Sequence, residues 1–308
     1  MTERVTCVVI GGGAAGQSAA LNLVRSRHRV LVVDEGRPRN AATLRSHGFP
    51  TRDGVSPMEL RKLAIAELGA YSDVEVLGRS RVASVQHADD GFRIEISTRG
   101  HGTREVEADA VLIATGLREE LPRIDGLTAF YGMSLFSCLA CDGYEHGAGD
   151  VVLIGETRGL AERALLLSRF SDRVAVCTNG SDALAPEEQL VLSARGITVD
   201  HRAIRRLEGE KGSLERVRFA DGETIAASGG FVLPRWSSAL EFVAPLGLEQ
   251  DDRGLIVTDR DGRTSVPSVY AAGDVTTQGP QQLIVAAGAG ARAAAVLTHD
   301  RLGIVTSH

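Results

Sequence analysis

Val5-Thr6-Cys7-Val8-Val9-Ile10-Gly11-Gly12-Gly13-Ala14-Ala15-Gly16 is the stretch on which the fold turns. Its first six residues, almost all apolar, predict a strand buried on both faces of a sheet. The glycine run then leads into a helical pattern carried by Ala19, Ala20, Leu23 and Val24, and a second buried strand runs from Arg29 to Asp34. Strand, G-x-G-x-x-G turn, helix, strand and terminal acid together make a dinucleotide-binding fingerprint in its proper setting. Gly11 makes the turn, Gly13 lets the backbone approach a pyrophosphate, and Gly16 lets helix and strand pack closely. Ala14 and Ala15 open the helix, whose free N–H groups and dipole favour phosphate. Asp34 stands near the ~20-residue spacing of a ribose-binding acid. Glu35, one step beyond the strand end, is the second candidate.

A second unit of the same design begins near Asp150. Val151-Val152-Leu153-Ile154-Gly155 reads as a buried strand, Ala161 to Phe170 as a helix, and Arg173 to Cys177 as the next strand. Two such units predict an α/β protein with two Rossmann-like domains, each a doubly wound, three-layer nucleotide-binding fold. The second turn, however, reads Gly155-Glu156-Thr157-Arg158-Gly159-Leu160. Thr157 puts a Cβ where the second glycine belongs, and Glu156 puts a negative charge where phosphates would sit. Thr178-Asn179-Gly180, after the next strand, supplies neither an arginine pair for a 2′-phosphate nor an acid for a 2′-hydroxyl. The skeleton of a pyridine-nucleotide site is kept and its binding chemistry is lost.

Between the two units lies Ser137-Cys138-Leu139-Ala140-Cys141-Asp142-Gly143. Two intervening residues let the cysteines reach disulfide distance when the second begins a helical turn. A helix N-terminus also stabilises a thiolate. Asp142 lies beside the pair as a candidate acid/base. A structural zinc site is the rival reading, but it asks for about four Cys or His ligands. His146 is the nearest histidine, and Cys7 and Cys177 fall in buried strands, where they read as inert core residues. A redox pair is the expectation, with no metal.

Two further strand ends belong to the first domain. Ala110 to Ile113 runs into Ala114-Thr115-Gly116, and Ser268 to Ala272 runs into Gly273-Asp274-Val275. Gln281-Gln282 and a helix rich in small residues, Leu283 to Leu297, follow. An acid at a strand's C-terminal end can bond a ribityl or ribose hydroxyl, and small residues allow close approach.

Composition narrows the field. The 308 residues are 43% hydrophobic and 24% charged, as in an ordinary soluble protein. Net charge is −6, which argues against nucleic acid or an anionic membrane surface as partner. No apolar run approaches the ~20 residues of a membrane span. The start, Met1-Thr2-Glu3-Arg4, has no targeting pattern, and four cysteines are too few for a secreted disulfide scaffold. The expected compartment is the cytoplasm.

In order along the chain, G-x-G-x-x-G at 11–16, A-T-G at 114–116, C-x-x-C-D at 138–142 and G-D at 273–274 resemble the low-molecular-weight thioredoxin reductase family of FAD flavoproteins. The match spans essentially the whole chain. The resemblance implies a discontinuous FAD domain (1–115 plus 240–308) with a NADPH-type domain (116–239) inserted into it. It also implies a homodimer, and a disulfide that stacks against the flavin. Carried over, Gly11, Gly13, Gly16 and Asp34 hold the ADP half of FAD. Gly273, Asp274 and Gln282, with Gln281 beside them, approach the ribityl chain and isoalloxazine. His47, in Ser46-His47-Gly48-Phe49, is a further flavin-facing candidate. Cys138 exchanges with substrate, Cys141 forms the charge-transfer thiolate, and Asp142 moves the proton.

The degraded second fingerprint departs from a NADPH-using reductase, as does Val232-Leu233-Pro234-Arg235, which stands where an Ile-Gly-His-type segment is usual. That pattern is similar to the dithiol oxidases of the gliotoxin and holomycin type, which keep FAD and the CxxC without NADPH. The resemblance then implies a small-molecule dithiol as substrate and O2 as acceptor. The alternative is a thioredoxin reductase drawing electrons from NADPH or another donor such as ferredoxin. A flavin-bound redox sensor and a plain flavin reductase with incidental cysteines are the remaining readings.

Overall fold

The computed structural model describes residues 3–277 and 279–304; Met1, Thr2 and the last four residues of the expected FAD domain lie outside them. β1 (Glu3–Ile10), α1 (Ala14–Arg25) and β2 (Val30–Asp34) make the first βαβ unit. α2 (Pro57–Leu68) and β3 (Val74–Gly78) follow, then a meander of β4 (Ser80–Ala88), β5 (Gly91–Thr98) and β6 (Gly102–Ile113). β7 (Arg118–Glu120), α3 (Leu127–Phe130) and β8 (Leu135–Phe136) precede α4 (Leu139–His146), which starts inside the CxxC. The second βαβ unit is β9 (Val151–Gly155), α5 (Leu160–Leu167) and β10 (Val174–Cys177), continued by α6 (Pro186–Ser193) and β11 (Thr198–Asp200). β12 (Ile204–Glu210), β13 (Ser213–Phe219) and β14 (Thr224–Ala226) form a small antiparallel sheet before β15 (Gly229–Leu233) and β16 (Arg235–Ser237). β17 (Val269–Ala271) and α7 (Leu283–Arg301) come last.

The chain forms two compact units, both Rossmann-like, the second inserted into the first. The first comprises the residues up to Arg39, Met58–Arg118 and those from Ser237 onward; the second comprises Asn40–Pro57 and Glu119–Trp236. In the first, β3, β2, β1, β6 and β17 pair in parallel, and β5 and β4 continue the sheet antiparallel from β6. Successive strand residues feed opposite faces: Val8, Ile10, Leu31, Val33 and Val111 enter one core, and Cys7, Val9, Val30, Val32 and Leu112 the other. This two-sided burial is why the strands read as unbroken apolar runs. The second unit repeats the plan with β11, β10, β9, β15 and β8 in parallel.

The unit boundaries differ from the expected 1–115 and 116–239 in one substantial respect. Residues 40–57 leave the first domain and pack with the second. There, bare backbone at Gly132 meets the carbonyl of Ala42, where a Cβ would fall 2.0 Å from the oxygen. The sequence from 40 to 57 has neither strand nor helix period, so nothing in it signals the crossing.

The small residues of α7 serve its packing on α1. A Cβ at Gly290 would stand 2.0 Å from the carbonyl oxygen of Ala15, and Ala293, Ala294 and Leu297 are fully buried beside it. The contact fixes the helix that follows the fingerprint turn. No helix among the described residues is long and apolar enough to cross a membrane. Gly290→Val should lower unfolding stability by about 1–3 kcal/mol. Thermal melts check this, and an unchanged melt would show that α1 and α7 separate without cost.

Candidate active site

The glycine turn is shaped by contacts of backbone on backbone. Gly11 has φ +106°, and a Cβ there would lie 2.3 Å from the Ala114 carbonyl oxygen; one at Gly16 would lie 1.9 Å from the Gly11 oxygen. Gly13, the N-cap of α1, is different, because a Cβ there meets no protein atom within 4 Å. Packing does not require glycine at that position, and the open space is what an approaching phosphate needs. Ala14 and Ala15 begin α1, whose first turn holds no acidic residue.

The ends of β1, β2 and β6 converge on a cleft of about 580 Å³, lined by Gly11, Asp34, Glu35, Arg37, Thr115 and Gly116 among others. Asp34 is buried, accepts hydrogen bonds from Gly12 N (3.1 Å) and Gly36 N (3.1 Å), and pairs with Arg61. Arg61 also donates to the Gly12 carbonyl (2.8 Å), so one guanidinium ties the acid to the turn. Thr115 Oγ1 is buried in this cleft with no partner, an acceptor and donor left for a ligand.

Asp274, Gln281 and Gln282 do not line the cleft. Arg39 bridges the first two, pairing with Asp274 Oδ2 (2.8 Å) and donating to Gln281 Oε1 (3.1 Å). Gln282 caps α7, and Gly273 abuts Ala15, where a Cβ would fall 2.9 Å from the alanine's own. Burial raises the Asp274 carboxyl above its ordinary range, opposed by Arg39. Sequence reasoning passed over Arg39 and Arg61. Arg39 carried a signal, since Arg37 and Arg39 directly follow the acid-bearing strand; Arg61 sits in an ordinary helical pattern and carried none.

Cys138 and Cys141 form a disulfide, with Cys138 as the N-cap of α4. The segment before it is held by Arg163, donating to the Ser137 carbonyl (2.7 Å), and by the Tyr131 hydroxyl on Ser137 Oγ (2.9 Å). His146 stacks on Phe136 at 4.2 Å, anchoring the helix's other end. Asp142 is buried beside the disulfide's second cysteine, and burial raises its carboxyl to about 7; His47 pulls it down and Glu145 pushes it up. Such a group both accepts and donates a proton near neutrality. Cys7 and Cys177 are buried free thiols, each pushed up to about 12 by burial. Among the described residues no three His, Cys, Asp or Glu side chains converge as metal ligands.

His47 stands in the second unit, in the segment 40–57. Its Nδ1 lies 3.3 Å from Asp53 Oδ2 and its Nε2 3.6 Å from Glu145 Oε1. The turn after β9 is engaged with the protein itself. Asn179 donates to Glu156 Oε1 (2.7 Å) and accepts from Ile204 N (2.7 Å), which ties the turn after β9 to the start of β12.

Two Rossmann-like units with a disulfide at a helix N-terminus define a flavin-linked disulfide oxidoreductase. The chain belongs to the pyridine nucleotide-disulphide oxidoreductase family, whose pattern matches residues 5–290. It is 32% identical over 286 residues to thioredoxin reductase tcpT of Claviceps purpurea, covering 88% of this chain and 86% of that one. It is 29% identical to thioredoxin reductase sirT of Leptosphaeria maculans, with 87% and 85% covered. The crystal structure of HlmI superposes with a TM-score of 0.89 at 36% identity, covering 98% of this chain and 95% of that one.

FAD is the cofactor of this family, and the first unit fits it. The space at Gly13, the unpartnered Thr115 hydroxyl and a cleft lined by both acids and arginines suit the ADP half of a dinucleotide. Asp34→Ala removes an acceptor shared by two backbone N–H groups and a guanidinium, each charge-assisted bond being worth ~1.5–3 kcal/mol. FAD retention should fall at least tenfold by equilibrium dialysis, and undiminished retention would remove Asp34 from the site. Asp142 yields a second expectation. Its native carboxyl keeps a proton that the unfolded chain releases, so folding stability is lost as pH rises from about 4 to 7. Asp142→Asn escapes that loss, and its melting-temperature advantage over wild type should grow across this window. An advantage independent of pH would show that the carboxyl titrates normally.

Proposed function

We propose that this protein is an FAD-dependent dithiol oxidase that closes an intramolecular disulfide in a small-molecule natural product, with O2 as acceptor and H2O2 as product. The observation that carries this reading is the occupied second turn. Glu156, bonded to Asn179, presents a carboxylate where a pyridine nucleotide's phosphates would need donors, and Thr157 denies the close approach. Arg202, past the end of β11, is committed to Asp200 (2.7 Å) and Asp221 (3.0 Å), whereas Arg158, on the turn itself, is exposed. Electrons must then enter through the dithiol centre.

One substrate thiol gives its proton to the Asp142 carboxylate as its sulfur attacks Cys138 Sγ. The Cys138–Cys141 bond breaks, and Cys141 leaves as a thiolate with the bonding pair, steadied by the α4 N-terminus. The second substrate thiol attacks the substrate sulfur of the mixed disulfide and closes the ring, and its proton passes to the departing Cys138 sulfur, which leaves as a thiol. Arg163 and Tyr131 keep the segment before Cys138 in place through these exchanges. When bound, FAD supplies the two-electron acceptor that returns the pair to the disulfide, and dioxygen is the terminal oxidant. The sum is one dithiol and one O2 to one cyclic disulfide and one H2O2. Gly11, Gly13, Ala14, Ala15, Gly16, Asp34, Glu35, Thr115 and Gly116 would hold the ADP half of FAD, and Ala114, Gly273, Asp274, Gln281 and Gln282 its remainder. We place the enzyme in the cytoplasm as a homodimer.

A second reading, thioredoxin reduction, is favoured by the relatives tcpT and sirT, both named thioredoxin reductases. Oxygen uptake separates the two. With a small dithiol and no pyridine nucleotide, the oxidase should consume O2 and release peroxide in equal amounts. Cys141→Ser should keep FAD and lose this uptake, and Asp142→Asn should slow it ~10²–10⁴-fold. Uptake persisting in Cys141→Ser would sink the mechanism, and NADPH-driven reduction of a thioredoxin would replace the function.

A further inference from the structure

Around the disulfide lies a row of ionisable groups that the exchange chemistry leaves unused. Asp53, exposed, accepts from Gly48 N (2.8 Å) and faces His47 Nδ1 at 3.3 Å. The His47 ring is mostly enclosed, its side chain 16% exposed, and its other nitrogen faces Glu145 at 3.6 Å. Glu145 lies three residues beyond Asp142 on α4, which places both carboxyls on one side of the helix. The row thus runs from solvent to the buried acid next to Cys141, and it is assembled entirely from residues of the second unit.

We infer that His47, fixed by Asp53 and opposed by Glu145, is a positioning residue of the dithiol centre that, together with Glu145, sets when Asp142 is ready to take the thiol proton. An imidazolium between two carboxylates favours the ionised form of a neighbouring acid, and a carboxylate one helical turn away disfavours it. The two act on Asp142 with opposite sign, and burial of the acid is the larger effect against which both work. The other groups near α4 do not substitute for them. Arg163 is engaged with the Ser137 carbonyl. His146 is stacked on Phe136, and burial lowers its basicity. Asp53 is held below the ordinary carboxyl range by the Gly48 N–H and by His47, so it stays an anion beside the ring. The inference deepens the dithiol-exchange step proposed above and rests on it, but not on the identity of the electron acceptor.

The test is the pH dependence of disulfide reduction in the FAD-loaded enzyme under anaerobic conditions. Dithiothreitol serves as the dithiol, and freed thiols at Cys138 and Cys141 are trapped by alkylation and counted by mass. His47→Asn should move the inflection up by about one unit, leaving the rate about tenfold lower on the acid limb and unchanged on the plateau. Glu145→Gln should move it down. The infrared carboxyl band that vanishes in Asp142→Asn should titrate in parallel, at matched flavin content. Opposite shifts of the two variants support the inference. An unmoved inflection, shifts in the same direction, or a loss uniform across pH would overturn it and leave His47 a structural residue. Electron entry from NADPH would overturn the oxidase reading instead and leave this result standing.

Discussion

Where β1 ends, bare backbone meets bare backbone. A Cβ at Gly11 would fall 2.3 Å from the Ala114 carbonyl oxygen, one at Gly16 would fall 1.9 Å from that of Gly11, and one at Gly290 would fall 2.0 Å from that of Ala15. No side chain can adjust at such distances, so the three glycines together set how β1, β6, α1 and α7 lie against one another. The ends of β1, β2 and β6 are thereby drawn together, and Asp34 and Thr115 enter one cleft. The position in the turn that packing leaves open is Gly13, where a phosphate would come closest.

The second unit has the same strand order logic and a different charge pattern. Glu156 on its turn is bonded to Asn179, and Arg202 is paired with two aspartates. What it adds is the disulfide at the start of α4 and, next to it, a carboxyl raised to about 7 by burial. α5 sends Arg163 to the backbone just before Cys138.

The parallel strands were legible because two-sided burial leaves continuous apolar runs, and the cysteine pair because its spacing suits one helical turn. Other parts were hidden for physical reasons. The strand read as Ala110–Ile113 is the end of a twelve-residue β6 whose earlier part alternates Val106 and Ala108 with Glu105, Glu107 and Asp109. β4, β5 and the β12–β14 sheet are half-exposed strands of the same kind, and the Asp90-Gly91 and Asp221-Gly222 hairpin signals between them were passed over. Residues 40–57 have no period at all, so the contacts of His47 with Asp53 and Glu145 could not be read. Arg61 was invisible because its role depends on how α2 folds back on Asp34, a contact 27 residues apart in sequence.

The direction of electron flow is tested most directly by anaerobic titration of the purified flavoprotein, following visible flavin absorbance, with NADPH added first and a small dithiol second. Expected are no bleaching by stoichiometric NADPH, full bleaching by the dithiol, and recovery of the spectrum on admitting air. Bleaching by NADPH at stoichiometric amounts would contradict the closed second turn and make the protein a pyridine-nucleotide-driven reductase.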